Sequence, residues 1–98
     1  MFTVQQYPVE SELTFALTLP KGSVVVDLIM VGGEPHVIVL QKINQTDYIN
    51  KCFVIHTTEE LVEETEQYVG HFKRGVSDYY LFVVEQENDK NKPLENWC

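Results

Sequence analysis

The amino-acid sequence predicts a mainly β fold: a small antiparallel β-sandwich or partly open barrel of about six to seven strands, with one short helix at about residues 58–66. Three observations carry this expectation. Apolar residues recur with period two in short runs, those runs are dominated by β-branched residues, and clusters of Gly, Pro, Asn and Asp separate them. Ninety-eight residues suffice for one domain of the smaller kind. Residues 1–87 are expected to form it, and 88–98 to form a flexible C-terminal tail, because "ENDKNKPLENWC" is polar and broken by proline. In that tail Trp97 stands near Leu94, an aromatic whose role the pattern leaves open.

Taken in order, "FTVQQY" opens the chain as the first strand. In "LTFALTL", Leu13, Phe15, Leu17 and Leu19 fall on one side and Thr14, Ala16 and Thr18 on the other, the pattern of a half-buried strand. "PKG" then combines a rigid residue with a permissive one and predicts a turn. "SVVVDLIMV" and "HVIVLQKI" flank "GGEP" and read as a hairpin. Strict alternation in the first of them groups Val24, Val26, Leu28 and Met30 against Val25, Asp27, Ile29 and Val31. Both faces are largely apolar, which suits the middle of a sandwich or an interface. "NQTDYIN" reads as a loop and "KCFVIHT" as the next strand. "QYVGHFK" and "YYLFVVEQE", joined by the turn signal "RGVSD", close the series.

The helix is expected in "TTEELVEETEQY". On helical spacing Leu61, Val62, Thr65, Tyr68 and Val69 form a stripe, and Thr57 with Glu60 has the spacing of a capping box. Its glutamates would then face water.

Composition narrows the partners. With 44% hydrophobic and 22% charged residues the chain resembles an ordinary globular protein, and its apolar runs are too short to span a bilayer. A net charge of −8 repels nucleic acid and anionic membranes, so neither is expected as a direct partner, whereas basic protein surfaces are attracted. "MFTVQQYPVE" has no basic residue ahead of an apolar core, so no secretory signal is read there and a cytoplasmic location is expected.

No catalytic constellation emerges, and the chain is read as a non-enzyme without a cofactor. Clustered carboxylates do acid–base work where burial or a neighbour drives their pKa values apart, and an exposed run lacks that environment. His36, His56 and His71, with Cys52 near His56, lack the close ligand spacing of a zinc motif, so no metal site is expected. Cys52, inside "KCFVIH", reads as a small buried hydrophobe, and Cys52 with Cys98 is too sparse a set to suggest a structural bridge. Two cationic turns offer an alternative ligand site. Lys21-Gly22-Ser23 and Lys73-Arg74-Gly75 both set positive charge beside a glycine, where backbone N–H groups can cradle an anion if the turns meet.

The segments "QYPVE", "LTLPKGSVVVDLIMVGGEPHVIVL", "KCFVIHT" and "YVGHFKRGVSDYYLFVVE" resemble a family of small proteins of uncharacterised function encoded by tailed bacteriophages. The resemblance covers about residues 6–85. It implies a phage source and a compact β-rich fold, and it carries no reaction. The chain departs from that pattern in two places: "HVIVL" lacks the family's tryptophan, and "HTTEELVEE" replaces a threonine–glycine–histidine–proline loop.

Two functional expectations follow. The leading one is a phage protein that binds and inhibits a nucleic-acid-handling defence protein of the host, of anti-CRISPR or anti-restriction type, in the host cell cytoplasm. Its contact surface would be Glu59, Glu60, Glu63, Glu64 and Glu66, presented to a basic surface as a phosphate surrogate. The alternative is a protein that sequesters a nucleotide signal at Lys21, Lys73 and Arg74, or a minor virion or assembly protein. The two-faced strand Val24–Val31 leaves room for a homodimer.

Overall fold

A computed structural model describes residues 1–84, which form seven antiparallel strands in two open sheets, and no helix occurs among them. The strands are β1 (Phe2–Pro8), β2 (Thr14–Pro20), β3 (Val24–Val31), β4 (Glu34–Lys42), β5 (Tyr48–His56), β6 (Glu66–Arg74) and β7 (Ser77–Val84). One sheet has the order β1-β4-β3, the other β2-β5-β7-β6. Within the described residues, every run read as a strand contributes one. The end of the predicted domain and the tail, with Trp97 and Cys98, lie outside the described residues.

The turns follow from glycine. Gly32 and Gly33 take φ of 57° and 84°, the two left-handed positions of a two-residue hairpin, and join β3 to β4. Gly75, at φ 64°, turns β6 into β7. Gly22, at φ 93°, takes the chain from β2 in one sheet to β3 in the other.

The core lies between the sheets. Val37 and Val39 of β4 meet Phe15 and Leu19 of β2, Phe53 and Ile55 of β5, Phe72 of β6, and Leu81 and Val83 of β7. Phe15 and Phe53, paired across β2 and β5, stack at 4.9 Å. The sheets also meet along β3 and β6, where Gly70 lies against Leu28. On β2 the predicted inner face is Phe15, Leu17 and Leu19; Leu13 is exposed, one residue short of the strand.

Beyond the loop read at 44–50, whose residues 48–50 already belong to β5 and pair with β2, two readings change. A bulge at Val26 shifts the β3 register between Val25 and Asp27. Val25 and Leu28 therefore share the inner face, while Val24, Asp27 and Ile29 pair with the outer residues Leu40, Ile38 and His36. Strict alternation had placed Val24 with Leu28. The second change is the helix at 58–66. Residues 57–65 are a loop of two turns, and Glu66 already belongs to β6. Leu61 is 94% exposed, so the predicted apolar stripe buries nothing there. Glu59 takes φ 76°, which ends any helix after one turn.

Cys52 is buried, at 1% exposure, as its apolar setting predicts. It is not a free thiol, so the expectation that it forms no bridge is withdrawn. Low exposure removes a thiol from solvent but leaves its bonding open.

Candidate functional site

Two successive turns of the same design build the loop between β5 and β6. In the first, the Glu60 N–H donates to the Thr57 carbonyl at 3.3 Å, and the Glu60 carboxylate accepts the Thr57 N–H at 3.1 Å. In the second, the Glu66 N–H donates to the Glu63 carbonyl at 3.0 Å, and the Glu66 carboxylate accepts the Glu63 N–H at 2.7 Å. The glutamate half of the predicted capping box is therefore made, without the helix it would have opened.

Both of these glutamates close on one imidazole. His56, the last residue of β5, sets Nδ1 2.9 Å from Glu60 Oε1 and Nε2 2.7 Å from Glu66 Oε1. A neutral ring has one N–H and one lone pair, and a lone pair against a carboxylate is repulsive, so this geometry calls for the doubly protonated imidazolium. Burial is the largest single influence on His56 and lowers its pKa. Hydrogen bonds to Glu66 and Glu60, with their negative charge, outweigh it and hold the pKa above the ordinary value. The His56 bond, followed by the Thr57 N–H, holds the Glu60 carboxyl below its ordinary value. The side chains of His56 and Glu66 are 13% and 7% exposed, so the ion pair is partly screened from water by the fold.

Beside the clamp is a hollow of about 250 Å³ on the outer face of the four-stranded sheet. Its floor is Tyr80 and Phe82 of β7, and its rim is Thr57, Thr58, Glu59 and Val62 of the loop. Phe82 receives His56 edge-on at 5.2 Å and Tyr68 at 5.6 Å. On the neighbouring row His71 tilts against Tyr80 and pairs with Asp78 at 2.8 Å. That bond, with Lys73 adding a weaker pull, holds the Asp78 carboxyl below its ordinary value.

The five glutamates therefore divide. Glu59, Glu63 and Glu64 are exposed, whereas Glu60 and Glu66 turn back onto His56, Glu66 almost wholly out of water. With both nitrogens engaged, His56 has no free lone pair for a metal or a proton. His36 lies on β4 of the other sheet, and no group of three metal-ligating side chains gathers among the described residues.

The cationic turns are kept apart. The turn after β2 lies at the start of β5 and the turn after β6 at the start of β7, and β5 and β7 are antiparallel, so Lys21 and the Lys73–Arg74 pair sit at opposite ends of the sheet. Several of their donors are also taken. Lys21 N–H donates to the Asp47 carbonyl, Ser23 N–H to the Pro20 carbonyl, and the Arg74 guanidinium to the carbonyls of Val9 and Glu10. The joint anion site is not formed.

Reading along the sequence missed His56 as the centre of the loop and Tyr80 and Phe82 as its floor. Signals for both were present. Thr57 to Glu60 and Glu63 to Glu66 repeat one spacing, and Tyr80 and Phe82 alternate on one strand face. No family model, curated protein or solved structure matches the chain.

Proposed function

We propose that this is a non-enzymatic binding protein that presents a rigid acidic loop to a basic protein surface, inhibiting a nucleic-acid-handling defence protein of a phage's host. One observation carries the reading: Glu59, Glu63 and Glu64 face water from a loop whose shape is fixed by the His56 clamp beneath it. Carboxylates carried on a fixed backbone lose less entropy on binding, so such a loop meets a cationic groove at lower cost than a mobile acidic run does. The adjoining hollow adds chemistry of the same sense. Tyr80 and Phe82 supply ring faces and Glu59 a carboxylate, and the charge of His56 in the wall is offset by Glu60 and Glu66, which together suit an arginine or lysine side chain entering from the partner. The phage setting rests on the resemblance in the sequence. The nucleotide-sequestering alternative gains no support, since Lys21 is separated from Lys73 and Arg74, which have partners at their own end of the sheet.

The test is capture from nuclease-treated host lysate by the immobilised protein, followed by elution with duplex DNA. A partner released by DNA, and captured at least tenfold less by the combined variant Glu59→Gln, Glu63→Gln and Glu64→Gln, supports the reading. Capture indifferent to DNA and to all three substitutions would sink it.

A further inference from the structure

The second feature to account for lies on the other sheet, away from the acidic loop. The outer face of β1-β4-β3 is an ordered grid set by the strand registers. Val4, Leu40 and Val24 form one row, Gln6, Ile38 and Asp27 the next, and Pro8, His36 and Ile29 the one after. Lys42, beside Phe2, closes one end of the grid; Glu34, beside Val31, closes the other. Val4 is 69% exposed, and Phe2, Val24, Ile29 and Val31 are exposed with it. A face three strands wide with apolar side chains in every row, and nothing packed on it among the described residues, is larger than scattered surface side chains account for.

We infer that this face is where two copies of the chain stack, sheet on sheet, about a two-fold axis crossing β4 at Ile38. The occupant is argued from the charges. Ile38 is midway along β4 between Glu34 and Lys42. A two-fold axis perpendicular to the strands reverses them, so each Lys42 lies over Glu34 of the second copy. The same operation sets Val24 over Ile29, Val4 over Pro8, and the two Ile38 side chains over each other. The face thus matches itself in both apolar character and charge, as an isologous contact requires. Most other surface of this acidic chain would bring like charges together.

The operation also sets the two Asp27 carboxylates on the same edge of the contact. Their backbones would be about 10 Å apart, the usual distance between packed sheets, so the carboxylates, both aimed into the gap, come closer than that at an edge within reach of water. Their repulsion weakens the dimer without forbidding it. The footprint is about 27 Å by about 14 Å per copy. That is small beside the roughly 800 Å² per partner of a standard interface, so the dimer dissociates on dilution.

Analytical ultracentrifugation of the full chain, from about 10 µM to about 1 mM, tests this. The weight-average mass is expected to climb from 11.4 kDa towards twice that value. Val4→Lys, on an edge strand and solvent-facing, should abolish the rise while leaving the melting temperature and circular dichroism in place. Lys42→Glu should weaken association at least tenfold, and Lys42→Glu with Glu34→Lys should restore it. Asp27→Asn should tighten it several-fold. A chain that stays at one copy at about 1 mM overturns the proposal and leaves the face to a different partner. So does a dimer indifferent to Val4→Lys and to the charge swap. The acidic loop lies on the opposite sheet, so either result leaves the proposed function to be judged by its own experiment.

Discussion

His56 is the side chain on which both turns of the loop converge. Folding favours its charged form, so its folded pKa is above the unfolded value of 6.5. The stabilisation it contributes is complete below the unfolded pKa and is lost as pH rises through the folded one. Glu60 and Glu66 are its charged neighbours, and Tyr80 of β7 is its cross-strand partner. The melting temperature should therefore fall as pH is raised from about 6 to about 8, and His56→Gln should flatten that dependence. At pH 6 Glu66→Gln should cost about 1–3 kcal/mol, because it removes a charge-assisted bond from a buried partner. Glu60→Gln should cost less, because Glu60 is the more exposed of the two. Thermal melts of the three variants across pH check this; a pH-independent wild type would remove the imidazolium clamp from the account.

At the scale of elements, the loop between β5 and β6 shows how a local helix signal loses to partners farther along the chain. The Thr57–Glu60 cap forms, but Glu59 turns left-handed and Glu66 is recruited into β6 and onto His56, ten residues away. A glycine at position 59 separates the two structures. In the loop, Glu59→Gly relieves a strain of roughly 1 kcal/mol and offsets glycine's entropy cost, so the melting temperature should hold or rise. In a helix the same change would cost about 1 kcal/mol, and a clear fall in melting temperature would speak for the helix. The bulges at Val26 and Val69 are further element-level decisions, since each moves its strand's later residues to the other face.

Across the whole molecule, the two sheets are held in register where β3 meets β6. A β-carbon on Gly70 would sit 2.7 Å from Leu28 Cβ, an atom fixed to the backbone that cannot swing aside. Gly70→Ala should thus cost about 1–3 kcal/mol by overpacking. Leu28→Ala should recover little of it, because alanine keeps the Cβ in contact, whereas Leu28→Gly in the same background should recover more. Denaturant unfolding of the single and double variants measures this coupling. Additive losses would place the strain elsewhere.

The strands and their turns were legible in the order of the residues. Period-two alternation marks a strand from its own residues, as in Phe15, Leu17 and Leu19, and positive-φ turns demand the glycines that stand at positions 22, 32, 33 and 75. The five glutamates were likewise legible as a group, because clustering is a property of the chain. The fold settles which of them face water, since that depends on His56 and on the approach of β6. It alone fixed the pairings β1 with β4 and β2 with β5, each joining segments distant in sequence. It also decided that one apolar face of β3 would meet the core and the other would remain outside. Alternation tells that a strand has two faces; which face is buried depends on what the rest of the chain brings against it.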